Sequence, residues 1–273
     1  MVSWHEYGDR SGYPVAYFHG TPGSGIEARA LSAAATRLGV RLIAPDRPGM
    51  GNSRRRPSHS LVTWPSTFTA LLDTAGIERA GILAWSGGGP FAIACLAHAS
   101  ERVSSIALLA PVGLRDEWPR SQRSITRLAL RATSPFSKLP ALPTLAASAI
   151  FRARALVKPG IPARTWVSPS HAAHLTRAWR AAFTQGASGP VHDDALITSN
   201  WTHDVQRAAA VINSGRASAT LWHGERDTVV PLDYSRALAP ALGARLIEVP
   251  GTGHRGIFLR YGADALEYLA PLP

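Results

Sequence analysis

The chain has 273 residues, of which 45% are hydrophobic and 17% charged, and its formal net charge is +11. This length allows one large α/β domain or two small ones with a buried core, and no apolar run approaches the roughly 20 residues that a membrane-spanning helix needs. The positive charge is almost all arginine, with lysine only at Lys138 and Lys158. Because no zinc-finger, RNA-binding or helix-turn-helix motif accompanies this charge, a nucleic-acid partner is not expected.

The N-terminus has neither a basic segment followed by an apolar one nor a small-residue cleavage site, which predicts a cytoplasmic protein. The single cysteine, Cys95, cannot form an internal disulfide. It falls on an apolar helical face, where a packing role is expected.

The first part of the chain alternates short apolar runs with helical patterns. The runs predict strands over residues 2–7, 14–18, 40–44, 82–85 and 105–109, and the patterns between them predict helices over 26–38, closed by Gly39, 61–75 and 88–99. Such alternation favours a parallel sheet covered on both faces, with ligand sites at the carboxyl ends of the strands.

The alternation stops between about Gly113 and Trp201 and then resumes. The interrupted part predicts helices only, over 118–131, 145–157, 169–183 and 191–200; the remainder predicts helix 205–212, strand 219–223, helix 232–241, strand 246–249 and helix 257–269. We therefore predict an α/β core over 1–112 and 202–273, with an inserted all-helical cap over 113–201.

The junction of the strand at 82–85 with the following helix carries a candidate nucleophile, Ser86. Ala84 and Gly88, two residues on either side, are small enough to allow a strained turn that pushes the serine out of the sheet edge. Its hydroxyl then lies at the start of a helix, where orphan amides and the helix dipole favour developing negative charge.

A serine hydroxyl is a poor nucleophile at neutral pH, so it needs a base and a carboxylate that orients the base. Asp227 follows a strand in a loop before Pro231, and His254 follows the last strand after Gly253. The order along the chain is nucleophile, acid, histidine.

With these motifs the chain resembles the α/β-hydrolase-fold serine hydrolases that carry a helical cap. The resemblance rests on the turn around Ser86, the His19-Gly20 strand end, the Asp227 loop and the Gly253-His254 turn, and it covers nearly the whole chain. Ala84 stands where the family usually has the first glycine. The chain begins at what resembles the family's second strand, so the first of the usual eight strands is expected to be missing.

The resemblance implies Ser86, Asp227 and His254 as catalytic residues and the backbone amides of Thr21 and Gly87 as the oxyanion hole. It implies cleavage of a small-molecule ester or related acyl bond, with no cofactor. Other family reactions stay open, among them aminopeptidase, carbon–carbon bond hydrolase, thioesterase and haloperoxidase-like activities. A binding protein or receptor with little turnover is the rival from another class, since a fold does not determine a function.

The remaining candidates have plainer interpretations. We expect Asp46 to hydrogen-bond its own glycine-rich turn, while Asp116 or Glu117 are alternative triad acids. The positions of His171, His174 and His192 also allow a metal site to be considered. Because no cysteine or further cluster of ligands accompanies these histidines, no metal is expected. His223 is interpreted as structural or pocket-lining. The other pocket-lining candidates are His19, Trp85, Trp201 and Trp222, with packing as the alternative for the tryptophans.

The cap sequence is strongly basic. Residues 115–164 contain ten basic and two acidic side chains, a net charge of +8. Such a field would attract an anionic carrier or membrane surface, whereas an arginine-rich composition alone would put the same charges on solvated helix faces.

Overall fold

The described helices and strands follow the order that the sequence predicts. The computed structural model describes residues 2–114 and 169–270. Three predictions lie outside the described residues: the helices 118–131 and 145–157, the alternative acids Asp116 and Glu117, and the basic stretch 115–164. The strands are β1 (Trp4–Gly8), β2 (Tyr13–Phe18), β3 (Val40–Pro45), β4 (Ala80–Trp85), β5 (Val103–Leu109), β6 (Ser218–Gly224) and β7 (Arg245–Val249). The α-helices are α1 (Ser32–Arg37), α2 (Trp64–Thr74), α3 (Gly89–His98), α4 (Pro169–Ala181), α5 (Ser188–Ile197), α6 (Thr202–Asn213), α7 (Leu232–Leu242) and α8 (His254–Leu269).

The described strands form one seven-stranded sheet in the order β1-β3-β2-β4-β5-β6-β7. Strand β1, at the edge, pairs antiparallel with β3, and the other neighbours pair in parallel. The mostly parallel sheet is thus confirmed, and the carboxyl ends of β2, β4 and β6 lie along one edge.

Buried side chains divide between the two faces of the sheet, as the period of two along a strand requires. In β4, Ile82 and Ala84 pack in the cluster that includes α2, α3, α6 and α7, whereas Leu83 and Trp85 pack with α1 and α8. Both faces are therefore covered, which explains why the strands read as continuous apolar runs.

The segment predicted as one helix over 26–38 differs from the prediction. A 3₁₀ helix occupies Gly25–Leu31, and the α-helix α1 begins only at Ser32. Gly25, Ala28 and Leu31 are buried at a spacing of three, which matches three residues per turn and keeps all three against the sheet.

Several helix ends also shift by a few residues. Helix α2 starts at Trp64 instead of residue 61, next to Pro65, whose fixed φ suits the first turn. Helix α5 runs from Ser188 to Ile197 instead of 191–200, and α8 starts at His254 itself instead of 257.

Helices α4 and α5 are held to the core through the loop that follows β3. The Gly51 amide donates to the Ala181 carbonyl (3.1 Å), and the Gln185 amide nitrogen donates to the carbonyl oxygens of Gly51 (2.9 Å) and Ser53 (2.8 Å). The cap boundaries at 113 and 201 remain a prediction. Within 2–114 and 169–270, no helix has the length and apolar character needed to cross a membrane.

Asp46 organises this same loop, as expected. Its carboxylate accepts hydrogen bonds from the amides of Asn52 (2.9 Å) and Gly25 (2.8 Å) and from the Ser3 hydroxyl (3.1 Å). Gly51 has a φ of +52°, and a side-chain carbon there would collide with the Asp46 carboxylate. A glycine is therefore required for conformation and for space.

Gly51→Ala and Gly39→Ala separate these two requirements. Gly39 has a φ of +59° but open space around it, so its replacement is expected to lower the free energy of unfolding by about 1 kcal/mol, the cost of left-handed backbone alone. Gly51→Ala adds the collision with Asp46 and is expected to cost about 3 kcal/mol. Urea denaturation of both variants checks this, and equal losses would contradict the steric role of Asp46.

Candidate active site

Ser86 lies at the strained turn between β4 and α3. Its φ is +53°, in the left-handed region, and the chain passes through a short 3₁₀ turn over Ser86–Gly88 before α3 begins. A side-chain carbon at Gly88 would collide with the carbonyl oxygen of Phe18, at the end of β2, and would lie 3.0 Å from that of His19. The small residue predicted here is therefore needed because β2 approaches the turn so closely.

Ser86, His254 and Asp227, which the sequence places far apart, form one hydrogen-bonded chain. His254 Nε2 lies 3.0 Å from Ser86 Oγ, and His254 Nδ1 lies 2.7 Å from Asp227 Oδ2. With Nδ1 donating to the carboxylate, Nε2 is left to accept the serine proton.

The side chain of Asp227 is buried, and both of its carboxylate oxygens face donors. Its Oδ1 accepts hydrogen bonds from the amides of Val229 (2.8 Å) and Val230 (2.9 Å), and its Oδ2 faces His254. Burial opposes ionisation, but the hydrogen bonds from His223, His254 and the Val230 amide outweigh it and hold the pKa of Asp227 well below its ordinary value. The carboxylate is therefore ionised at neutral pH.

His223 lies behind this acid, with no exposed surface. Its Nε2 lies 2.9 Å from the Val230 carbonyl and 3.4 Å from Asp227 Oδ2, so this nitrogen carries the proton, while Nδ1 accepts from the Ser235 hydroxyl (2.7 Å). The structural interpretation of His223 is the correct one, and its side chain fixes the loop that carries Asp227.

Trp85, a pocket-lining candidate, supports the histidine instead. Its ring stacks on Phe258 at 4.9 Å and tilts against the His254 ring at 5.2 Å, and its Nε1 donates to the His254 carbonyl (3.3 Å). Only 8% of Trp85 is exposed. The Trp85 side chain therefore packs against the His254 ring and supports it.

His19 is also a buried scaffold residue and not a pocket wall, which corrects the prediction. Its Nδ1 donates to the Gly20 carbonyl (2.7 Å), and its Nε2 accepts from the Arg47 amide (3.1 Å). Burial lowers the pKa of His19 to about 3, with the nearby Arg47 charge acting in the same direction. The ring is neutral and joins the ends of β2 and β3.

Glu27 is a site residue that the sequence analysis missed. Its Oε2 accepts hydrogen bonds from the Gly20 amide and the Tyr17 hydroxyl, both at 2.9 Å. Burial raises the pKa of Glu27 to about 7, although both hydrogen bonds favour the ionised form. No local motif marks this carboxyl, because its partners lie on β2 and the loop after it.

Thr21 and Gly87, the candidate oxyanion-hole residues, lie side by side. A side-chain carbon at Gly87 would collide with Thr21 Oγ1 and would lie 3.2 Å from Ile197 Cδ1. A side-chain carbon at Gly20 would lie 3.7 Å from Ser86 Cβ, so this loop borders the serine. Ile197, at the end of α5, is a further residue that the sequence analysis missed.

A buried ion pair stands directly behind Thr21. Arg47 donates to Asp193 with two parallel hydrogen bonds, Nε to Oδ1 (2.9 Å) and Nη2 to Oδ2 (2.8 Å), and both side chains are 1% exposed. Burial of Asp193 opposes its ionisation, but the Arg47 charge and the hydrogen bonds from Arg47 and Thr21 hold its pKa well below the ordinary value. The sequence analysis missed this pair, since 146 residues separate the partners.

Trp201 and Trp222 are buried in the core formed by the described residues, which agrees with the packing alternative of the sequence analysis. Trp201 is 2% exposed and its Nε1 donates to the Ile197 carbonyl (3.1 Å). Trp222 packs edge to face on Tyr268 at 5.6 Å, and the groove that it borders includes Ser218 and Ile247 but none of the three hydrogen-bonded site residues.

The candidate metal ligands are not brought together in the described part of the chain. No group of three or more histidine, cysteine, aspartate or glutamate side chains there could hold a metal ion. His192 Nε2 donates to the His59 carbonyl (2.7 Å), and the side chain of His171 lies outside the described residues.

Glu27→Gln is expected to remove a pH dependence of stability. Between pH 4.5, the ordinary pKa that applies in the unfolded chain, and about 7 in the folded protein, only the folded state holds the Glu27 proton, so stability falls as pH rises through this range. Over the whole range, the free energy of unfolding falls by about 3 kcal/mol. Glutamine keeps an oxygen that accepts from Gly20 and Tyr17 but does not titrate, so the variant gains stability relative to wild type from about pH 5 to about pH 8.

Urea denaturation of the two proteins across this pH range measures the difference. His19 titrates in both, on the acid side of its ordinary value of 6.5, and cancels in the comparison. A constant difference between the proteins at all pH values would contradict the assignment of the titrating group to Glu27.

Known proteins resemble this chain in sequence and in fold. Over 116 residues it is 32% identical to a 2-hydroxymuconate semialdehyde hydrolase from Pseudomonas putida, covering 40% of this chain and 40% of that one. Its matches span about two fifths of the length of such curated relatives. A carboxylesterase structure from Nitrososphaera gargenis superposes with a TM-score of 0.72 at 15% identity, covering 98% and 93% of the two chains. An esterase from Exiguobacterium antarcticum gives a TM-score of 0.71 at 18% identity, with 98% and 93% coverage.

The sequence profile of the alpha/beta hydrolase fold matches residues 13–261, which includes all seven strands except β1 and all three members of the hydrogen-bonded chain. At these identities the two solved structures support the fold alone. The chain belongs to the α/β hydrolase fold family.

Proposed function

We propose that this protein is a serine hydrolase that cleaves a carboxylic ester or a related acyl bond of a small molecule. The observation that carries the proposal is the hydrogen-bonded chain from Ser86 Oγ through His254 to Asp227, with the serine at a strained turn of φ +53°. A serine in a left-handed conformation costs energy that an ordinary turn would avoid, and such strain concentrates at functional sites. The carboxylesterase and the esterase among the structural relatives are consistent with this reaction class.

The proposed reaction has two halves. Ser86 Oγ attacks the carbonyl carbon while His254 Nε2 takes its proton, and the resulting oxyanion accepts hydrogen bonds from the amides of Thr21 and Gly87. The intermediate collapses, the carbon–oxygen bond to the alcohol breaks, and His254 returns the proton to the alcohol. Water then attacks the acyl-enzyme by the same route and releases the acid and free Ser86.

The environment of Asp227 supports its role as the orienting acid. An ionised carboxylate stabilises the His254 cation that forms in each half-reaction, and the depressed pKa of Asp227 keeps it ionised throughout. His254 has its second nitrogen facing Ser86, and the Trp85 ring, which itself stacks on Phe258, lies against the His254 ring and limits its motion.

Ser86→Ala tests the nucleophile. The variant is expected to lose hydrolysis of p-nitrophenyl acetate and butyrate and labelling by a fluorophosphonate probe, because both need the Ser86 oxygen. Ser58→Ala, at an exposed loop serine, serves as the control and should keep both activities. An adduct mapped by mass spectrometry to another residue, or full activity in Ser86→Ala, would rule out the proposal. A burst of one equivalent without a steady rate would indicate a binding protein.

Asp227→Asn tests the acid. With the carboxylate neutralised, the histidine tautomer and its developing charge lose their partner, and kcat is expected to fall by roughly 10⁴. Glu225→Gln makes the same change of charge two residues earlier, at an exposed side chain, and should leave kcat within about twofold, as an exposed position predicts. Comparable kcat values in the two variants would place the orienting acid elsewhere, for example at Asp116 or Glu117.

A further inference from the structure

One face of helix α5 contacts both candidate oxyanion-hole residues, Thr21 and Gly87. Asp193 and Ile197 are four residues apart, so they lie on the same side of the helix, and both are buried. Asp193 bonds the Thr21 side chain, and Ile197 packs against Gly87. A helix from outside the predicted α/β core therefore touches the two residues whose amides are proposed to hold the oxyanion.

The contact with Thr21 is a hydrogen-bond network and not simple packing. The Thr21 hydroxyl donates to Asp193 Oδ2 (2.5 Å) and accepts from Arg47 Nη2 (2.9 Å). Arg47 also donates to the carbonyl oxygens of His19 (2.7 Å) and Gly20 (3.0 Å). Every residue from 19 to 21 is thus tied to the Arg47–Asp193 pair.

The pair is itself held rigidly. The Arg47 guanidinium lies over the Phe91 ring at 4.6 Å, on the helix that follows Ser86, and the backbones of Gly49 and Gly189 touch at the start of α5. A bidentate pair in a buried site has little freedom, because rotation of either group would leave an unpaired buried charge. The network can therefore transmit the position of α5 to the Thr21 backbone.

We infer that Asp193 is a positioning residue for the oxyanion hole, which fixes the Thr21 amide through the Thr21 hydroxyl and Arg47. The inference rests on the proposed function and adds a dependence of catalysis on α5. Asp193 does not touch the reacting atoms; its effect is to hold the loop so that the donor is already aimed when the oxyanion forms.

Thr21→Val is the main test. Valine has nearly the same shape and keeps the backbone amide, and the Arg47–Asp193 pair stays intact, so the variant is expected to fold. Without the hydroxyl, the amide is less well aimed, and kcat is expected to fall about tenfold with KM nearly unchanged, since an oxyanion donor acts mainly in the transition state. Affinity for a boronic acid, which forms a tetrahedral adduct on serine, should fall with kcat.

Asp193→Asn extends the test to the helix. It is expected to lower kcat about 100-fold, the scale of a misplaced catalytic group, whereas Asp194→Asn, the same change on the next residue of α5, should keep the wild-type kcat. Rates are expressed per active site, titrated with the fluorophosphonate, so that a merely structural loss lowers the number of sites and not kcat. If Asp193→Asn fails to fold, Thr21→Val decides alone.

The two ways of failing are distinguishable. If wild type hydrolyses esters and Ser86→Ala does not, but Thr21→Val and Asp193→Asn keep the wild-type kcat per site and boronic acid affinity, the positioning role is overturned and the proposed function stands. If wild type neither turns over esters nor reacts with the fluorophosphonate at Ser86, the proposed function itself fails.

Discussion

The arrangement of the site depends on one close approach of backbone to backbone, where the end of β2 meets the turn after β4. Gly88 lies so near the carbonyl group of Phe18 that a side chain would collide with it. This contact sets Ser86 beside the loop of Gly20 and Thr21, and the strained φ of Ser86 is the conformational cost of bringing them together. The rest of the site is built to hold these two backbone segments in place.

Buried polar groups do most of that holding. His19 spans the ends of β2 and β3 with both nitrogens engaged, Glu27 accepts from the Gly20 amide, and Arg47 binds the carbonyl oxygens of residues 19 and 20. Each of these side chains is costly to bury unless its hydrogen bonds are satisfied. Their concentration around a three-residue loop therefore indicates that the position of this loop matters more than the stability it contributes.

Asp227 is also held in place by buried hydrogen-bonding groups, although by different residues. His223 and the amides of Val229 and Val230 surround Asp227, so the carboxylate is ionised and has a single orientation toward His254. Trp85, from the strand that leads to Ser86, packs against the His254 ring. The nucleophile strand thus supports the histidine as well as the serine.

The sequence by itself determined the alternation of strands and helices, the turn at Ser86 and the order of serine, acid and histidine, because these are local patterns: apolar period, small residues at fixed offsets, and loops after strands. Element ends were less accurate, and the helix predicted over 26–38 is divided into a 3₁₀ helix and a short α-helix, because the burial of every third residue in its first part becomes apparent only when that part packs against the sheet. The roles of His19, Trp85, Trp201 and Trp222 were decided by the tertiary structure, because burial of an aromatic ring is visible locally but the surface that it packs against is not. The same holds for Glu27 and for the pairing of Arg47 with Asp193 across 146 residues. The sequence around a charged residue does not identify its partner. Only the folded chain buries the two charges together, and a buried charge is stable only when it is paired.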